Sequence, residues 1–285
     1  MTLHLGKTVI IGVGLLGASL GMAIRKKKLA DLVIGIGRNQ STLETALQKE
    51  AIDTYSMDLS STIKTADFII ICTPVQSAID YLKKMANYVS SDVTITDVCS
   101  TKKEICGTAQ TLWQKDSPFI GSHPLAGSEK YGPEFARHDF YENTICLIEK
   151  GEATRNKSKN LVHQFWKTLG TKIIEIDAEE HDYFMAYTSH LPHVIASALA
   201  QVVEQSGAQR HFIGGGFRDT TRIAGSRPEI WNDIIITNKT NMITAIKSIE
   251  EKIKSFIDAL EKDDIEKILQ FFQDGNDARK RLLEP

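Results

Sequence analysis

Three groups of residues have types and spacings that can do chemistry. The first is Gly12-Val13-Gly14-Leu15-Leu16-Gly17, a G-x-G-x-x-G run. Between a strand and a helix, such a run lets backbone approach a pyrophosphate and offers it free helix-start amides. The second group pairs His123, in Gly121-Ser122-His123-Pro124-Leu125-Ala126-Gly127-Ser128-Glu129, with Ser100, in Thr96-Asp97-Val98-Cys99-Ser100-Thr101-Lys102-Lys103. A neutral imidazole, with an ordinary pKa near ~6.5, can accept a hydroxyl proton while hydride leaves the same carbon. Taken alone, His123 is more readily a hydrogen-bonded loop histidine. The third group is Arg218, Arg222 and Arg227, which follow Gly214-Gly215-Gly216 and can supply planar cations to carboxylates.

The elements around these residues read as strand and helix in alternation. Thr8–Ile11, Leu32–Ile36, Asp67–Thr73, Val93–Thr96, Phe119–Ser122, Thr144–Ile148 and Lys172–Ile176 are predicted strands. Leu15–Lys28 and Ser41–Lys49 are predicted helices, and Leu161, Val162, Phe165, Trp166 and Leu169 form a helical stripe closed by Gly170. Thr101 and Glu104 have capping-box spacing, which predicts a helix start immediately after Ser100. The fold class expected is α/β, a Rossmann-type doubly wound, mostly parallel sheet followed by an all-helical second domain. Ser100 and His123 then lie after the fourth and fifth strands, where open parallel sheets present their ligands; Pro124 is read as stopping the strand before it.

After Asp177 the strand signal nearly vanishes. Helices are predicted over Glu179–Ser189, His193–Ser206, Pro228–Asn238, Asn241–Leu260 and Asp264–Phe272. Ser226 and Glu229 repeat the capping-box spacing with Pro228 in the first turn, and Gly214–Asp219 reads as a loop. The expected division is a dinucleotide-binding domain over 1–177 and a helical substrate-binding and dimerisation domain over 178–285.

Composition narrows the function classes. The chain has 285 residues, 42% hydrophobic and 25% charged, and a formal net charge of −2. That balance recruits neither nucleic acid nor an anionic membrane. Thr8–Ile24 carries no charge, but Gly12, Gly14, Gly17 and Gly21 interrupt it and it falls short of the ~20 apolar residues of a span. Cys72, Cys99, Cys106 and Cys146 form no C-x-x-C, so reduced thiols in a cytoplasmic protein are expected.

An acidic residue ~20 positions beyond the glycine turn commonly takes the adenosine ribose. Here the stretch is Gly35-Ile36-Gly37-Arg38-Asn39, with no carboxylate. Arg38 can accommodate a 2′-phosphate or stack on adenine, so NAD and NADP both stay open.

Over nearly its whole length the sequence resembles the prephenate and arogenate dehydrogenases of tyrosine biosynthesis. The resemblance is carried in order by G-V-G-L-L-G-A-S-L, I-C-T-P around Thr73, T-D-V-C-S-T-K and G-S-H-P-L-A-G-S-E. It continues through E-H-D around His181, S-H-L-P-H at Ser189–His193, G-G-G-F-R-D-T-T-R-I-A and Pro228-Glu229-Ile230-Trp231. It implies oxidation of a cyclohexadienol with loss of CO₂. His123 then takes the ring hydroxyl's proton, and Ser100 hydrogen-bonds that hydroxyl. His193 addresses the side chain, and Arg222 binds a carboxylate with Asp219 as its orienting neighbour. Glu129 lies near the entrance and Trp231 near the pocket; Arg218 and Arg227 are expected surface or interface charges. Gly12, Gly14, Leu15, Leu16, Gly17, Arg38 and Thr73 are the expected cofactor residues, and a homodimer through the helical domain is the expected assembly. Prephenate and arogenate differ by a keto versus an amino group, and both stay open.

Other readings fit less well. His190 and His193 with His181 suggest a metal, but no third ligand has suitable spacing. A β-hydroxyacid dehydrogenase or imine reductase usually places a lysine on an early helix of the second domain, and Glu179–Ser206 contains none. A cofactor-sensing protein without turnover leaves Ser100, His123 and Arg222 without a purpose.

Overall fold

Strands and helices alternate from the first β-branched run onward. The computed structural model describes residues 3–128 and 130–284. Six strands, β1 (Lys7–Ile11), β2 (Leu32–Ile36), β3 (Thr54–Ser56), β4 (Phe68–Ile71), β5 (Thr94–Asp97) and β6 (Phe119–Ile120), form an all-parallel sheet. Their order is β3-β2-β1-β4-β5-β6, which puts the switch point of the winding between β1 and β4. Val9, Ile11, Ile69 and Ile71 pack on one face of the sheet, while Ile10, Phe68 and Ile70 pack on the other. Both faces are therefore apolar, as a parallel sheet covered on two sides requires.

The crossovers are α1 (Leu15–Lys26), α2 (Gln40–Gln48), α3 (Leu59–Ile63), α4 (Val75–Met85) and α5 (Lys103–Trp113). Arg25 and Lys26 close α1 at the negative end of its dipole. The single strand expected over 119–122 is two. After Gly121 the chain leaves the main sheet, and β7 (Ser122–Pro124) pairs antiparallel with β8 (Ile145–Glu149). Pro124 is therefore the last residue of a strand that holds His123 opposite Leu147, rather than a stop placed after a parallel strand. A helix α6 (Asn156–Thr168) leads to β9 (Lys172–Ile176), parallel to β8 in this second, three-stranded sheet.

Helices take over after Asp177. α7 (Ala178–Met185) runs through a wider π turn, Ala186–His190, into α8 (Leu191–Gln205). Extra residues in a helical turn re-aim side chains and often mark functional sites. The glycine-rich stretch expected as a loop forms a short helix, α9 (Gly215–Thr221), with Arg218 N–H donating to the Gly214 carbonyl. A 3₁₀ turn at Arg222–Gly225 leads to α10 (Pro228–Thr237), followed by α11 (Lys239–Glu261) and α12 (Ile265–Leu283), which extends well beyond the expected end at Phe272.

Neither expected capping box forms. Thr101 Oγ1 meets Thr237 Oγ1 at 2.8 Å, and Ser226 Oγ donates to the Ile223 carbonyl. Both hydroxyls are engaged elsewhere than with the helix amides expected for them.

The chain divides into two compact units, Met1–Asn238 and Lys239–Pro285. Within the second, α11 and α12 pack Phe256 against Phe271, ring centroids 4.7 Å apart. No described helix is long and apolar enough to cross a membrane.

Candidate active site

Because the sheet order runs β2-β1-β4-β5, the segments after these strands lie side by side along one edge. Arg38 follows β2, Gly12 and Gly14 follow β1, Thr73 follows β4 and Ser100 follows β5. A cavity of about 280 Å³ opens among the first three, lined by Gly12, Gly14, Arg38 and Thr73. A second, of about 590 Å³, is lined by Ser100, His123, His193, Arg222, Arg227 and Trp231 among others. Both lie wholly within the first unit.

The smaller cavity fits the phosphates of a dinucleotide. Gly12 has φ +93°, and a Cβ there would lie 2.7 Å from the Cys72 carbonyl oxygen, so only glycine makes this turn. A Cβ on Gly17 would lie 2.0 Å from the Gly12 oxygen, which brings α1 hard against the turn. A Cβ on Gly14 would meet nothing within 4 Å, leaving an open cradle. Gly14 is the N-cap of α1 and no side chain caps the helix, so its first amides are available to an anion. Thr73 Oγ1 is buried beside them and has no hydrogen-bond partner among the described residues. Arg38 is exposed at the rim, while Asn39 Oδ1 is occupied in accepting from Ser41 and Thr42 amides as the cap of α2. Leu15, Leu16 and Gly17 support the turn from α1 but do not line the cavity.

The larger cavity owes its chemistry to a chain of buried side chains. Asp182, on α7, accepts hydrogen bonds from the Lys102 amide (Oδ1, 2.7 Å) and the Lys103 amide (Oδ2, 3.0 Å), and so caps α5. An anion there is favoured by the helix dipole. The same Oδ1 lies 2.7 Å from His181 Nδ1, and His181 Nε2 lies 2.9 Å from His123 Nδ1. A carboxylate can only accept, so the order of donors follows from it. His181 Nδ1 carries a proton, His181 Nε2 accepts, and His123 Nδ1 carries the next proton. His123 Nε2 is left with its lone pair, and His123 lines the cavity.

His123 itself is held well below the ordinary imidazole pKa, first by burial, then by His181, the Lys102 ammonium and His190. It is neutral at neutral pH, as a proton acceptor must be. His181 is also lowered by burial, with the Asp182 hydrogen bond pulling the other way.

Beneath the imidazoles a buried ion pair fixes the backbone. Asp97, the last residue of β5, pairs with Lys102 Nζ at 2.5 Å, and both side chains are buried. Its two oxygens also accept from the Cys99 and Ser122 amides, each at 2.9 Å. Burial draws the Lys102 pKa down, but Asp97, Cys99 and Cys106 together raise it above its usual value, so the ammonium stays charged. One carboxylate thus ties the segment bearing Ser100 to Ser122, the residue before His123. Such pairs lose several kcal/mol in desolvation, and their use is to fix one geometry.

On the opposite wall His193 Nδ1 donates to the Ser189 carbonyl at 3.0 Å, and its ring lies against Trp231, centroids 3.8 Å apart and planes at 31°. Its pKa is lowered by burial and by Arg222, against the Ser189 bond. Asn238 Nδ2 donates to the Asp182 carbonyl at 2.6 Å and reaches His190 Nδ1 at 3.3 Å, so α10 also braces α7.

Of the expected substrate residues, Ser100, His123, His193 and Arg222 share this cavity with Trp231. Asp219 is exposed on α9 and is not among the lining residues. Glu129 lies outside the described residues. Asp97, Lys102, Asp182 and Asn238 were not singled out from sequence, and His181 was weighed only as part of the E-H-D motif and as a metal ligand. His181 and Asp182 stand together in the E-H-D motif, and an adjacent histidine and aspartate was the available signal. Arg227, expected as a surface or interface charge, is exposed and also lines the cavity, whereas Arg218 does not line it.

A doubly wound sheet with a glycine turn at its switch point, and a neutral imidazole beyond the neighbouring strand, defines a dinucleotide-dependent oxidoreductase. Family models agree in detail. The prephenate dehydrogenase nucleotide-binding domain matches residues 20–175, and the prephenate dehydrogenase dimerization domain matches 177–274. A prephenate dehydrogenase of Bacillus subtilis is 30% identical over 96% of this chain and 75% of its own length. The Aquifex aeolicus prephenate dehydrogenase, solved in complex with hydroxyphenyl propionate and NAD+, superposes with a TM-score of 0.91 at 27% identity, covering 99% of this chain and 100% of that one. A Synechocystis arogenate dehydrogenase superposes at 0.81 with 28% identity, covering 97% and 100%. The chain belongs to the prephenate dehydrogenase family.

Proposed function

We propose that the protein oxidises prephenate with loss of CO₂ to give 4-hydroxyphenylpyruvate, a step towards tyrosine. The observation that carries this reading is the His123 Nε2 lone pair, set by Asp182 and His181, in one cavity with Ser100 and Arg222. The likeness to an arogenate dehydrogenase supports a second reading, arogenate to tyrosine at the same site.

The ring hydroxyl is held between Ser100 and His123. His123 Nε2 takes its proton as the C–H bond beside it is lost, and the imidazolium that forms is stabilised through His181 by Asp182. Hydride acceptance is the chemistry a bound nicotinamide supplies. Arg222 binds a carboxylate and His193 addresses the side chain. As the ring carboxylate departs, the electron pair of its carbon–carbon bond stays in the ring and completes the aromatic system. The buried frame supplies alignment, so the reacting groups need no reorganisation as charge develops.

Gly12, Gly14 and Thr73 would hold the pyrophosphate, with Leu15, Leu16 and Gly17 forming the helix start behind it. Arg38, with no acidic residue at its end of β2, admits a 2′-phosphate, so NADP is accepted as well as NAD. The working division is a dinucleotide-binding domain over 1–177 and a helical domain over 178–285 that pairs with a second copy. The dimerization-domain match supports that pairing, as do the exposed apolar side chains Ile253 and Ile257 on α11 and Ile265, Leu269 and Phe272 on α12. Four free thiols suit a cytoplasmic protein. The test offers prephenate and arogenate with NAD and with NADP and follows reduced nicotinamide. An absorbance rise with prephenate is expected; none in any of the four pairings overturns the reading.

A further inference from the structure

We propose that Arg227 binds the side-chain carboxylate of the substrate and so selects the keto acid over the amino acid. The inference rests on the function proposed above. Arg227 is the N-cap of α10, and four residues on, Trp231 stacks on His193. His193, Trp231 and Arg227 all line the same cavity, with Arg227 at the start of the helix that carries Trp231. A side chain that reaches His193 is led towards Arg227.

The guanidinium is already oriented to receive it. Its Cζ lies 4.8 Å from the centroid of Tyr131, which lines the same cavity, and an aromatic face fixes the plane of an arginine laid over it. Its Nε donates to Glu229 Oε2 at 3.3 Å. Glu229 is exposed, so that pair is weak and screened. It occupies only the Nε edge, and among the described residues the two terminal nitrogens have no partner. Those nitrogens form the fork that accepts a carboxylate bidentately.

The chemistry of the substrate calls for such a second cation. Prephenate carries both carboxylates on the ring carbon opposite the hydroxyl-bearing one. With the hydroxyl at His123 and Ser100, both anions project to the far end of the cavity. Arg222 serves one of them. The other sits further out on the three-carbon side chain. In the amino acid an ammonium replaces the keto group beside this carboxylate, and a guanidinium placed there repels it. Arg227 therefore strengthens binding of the dianion and weakens the advantage of the zwitterionic side chain.

Steady-state kinetics of Arg227→Ala with both acids tests this, with Tyr131→Leu as a second variant that leaves the guanidinium but removes its platform. For Arg227→Ala, the expected result is a KM for prephenate raised about tenfold, the loss of one charge-assisted bidentate contact. The kcat is expected to stay within twofold, and the prephenate-to-arogenate ratio of kcat/KM to fall at least about fivefold. Tyr131→Leu is expected to shift the same ratio in the same direction by less. Thermal midpoints on the same samples check that both variants are folded. A KM for prephenate within twofold of the parent, an equal loss for both acids, or a fall in kcat larger than the rise in KM overturns the assignment. If the unaltered enzyme oxidises neither acid, that arm alone shows that the functional reading has failed, and the role of Arg227 falls with it.

Discussion

The two cavities along the sheet edge are built on opposite principles. The nucleotide cleft is made by backbone, from a turn that only glycine can adopt, a helix start without a side-chain cap and a cradle with no Cβ. The substrate cavity is made by side chains, and its central imidazole, on strand β7, is defined by a carboxylate two links away in the hydrogen-bond chain, on helix α7. A backbone site depends on local conformation and tolerates exchange of most neighbouring side chains. A relayed site depends on partners brought together by the whole fold, and a fault anywhere in the chain reaches the reacting nitrogen.

If that contrast is right, the greatest loss comes at the end of the relay. His123→Asn is expected to lower kcat by about 10²–10⁴, the usual range for a general base, with cofactor affinity within twofold. Near-normal turnover removes the base assignment. The same residue sets the pH profile. It works in its neutral form, and burial, His181, Lys102 and His190 all hold its pKa down. The acid limb of kcat/KM is therefore expected below pH ~6.5, with activity lost as pH falls through that lowered pKa. A limb above pH 7 breaks the argument. Stability follows the same sign. His190, with a pKa lowered to about 4, is uncharged in the folded protein across the range in which an unfolded imidazole gains its proton. Stability is present above ~6.5 and declines as pH drops from there towards about 4.

One step back in the relay, Asp182→Asn is expected to lower kcat on the order of a hundredfold, less than loss of the base itself. An amide can donate to His181 Nδ1, which reverses the order of donors and leaves His123 Nε2 protonated in part of the population. It also accepts less well from the Lys102 and Lys103 amides, so the thermal midpoint is expected to fall with it, by about 1–3 kcal/mol of stability. An unchanged kcat alongside a lowered midpoint would reduce Asp182 to a helix cap.

How much of this was legible in the sequence follows from the same contrast. Gly12, Gly14 and Gly17 announce their turn because the constraint is local, and strands such as Leu32–Ile36 were bounded correctly because they are short, uncharged and rich in Val and Ile. β3 and α3 are three and five residues long and too short to show a period, and α4 begins directly after Pro74, which reads as a strand stop. Thr101 and Ser226 have capping spacing, yet tertiary and 3₁₀ partners took their hydroxyls. The relay was invisible for a different reason. His123 and His181 lie 58 residues apart, and neither periodicity nor spacing says that a strand in a second sheet will face a helix after it. Arg227 is exposed, as expected of a surface charge, and only the fold shows that it and Arg222, but not Arg218, also border the cavity.

Two glycine substitutions sharpen the backbone side of the contrast. Gly14→Ala adds a methyl to open space where a pyrophosphate must approach. It is expected to raise the KM for cofactor on the order of tenfold while costing less than about 1 kcal/mol of stability. Gly17→Ala forces a methyl to 2.0 Å from the Gly12 oxygen and is expected to cost about 1–3 kcal/mol or more in folding. Denaturant midpoints and cofactor titrations separate the two. A common outcome for both positions would mean that the cleft is not divided between a ligand-facing and a packing glycine.

The smallest effect is expected at the rim. Arg38 is exposed, and among the described residues no carboxylate lies beside it to take a ribose 2′-hydroxyl at this end of β2. Its contribution to an exposed phosphate is a screened charge interaction of about 1 kcal/mol, which corresponds to roughly fivefold in affinity. Arg38→Ala is therefore expected to raise the KM for NADP about fivefold at low salt, less at 0.5 M salt, and to leave the KM for NAD within twofold. The salt dependence separates a charge contact from stacking on adenine, which salt does not screen. An equal rise for both cofactors, unaffected by salt, would assign Arg38 to the adenine face and make the cleft indifferent to the 2′-phosphate.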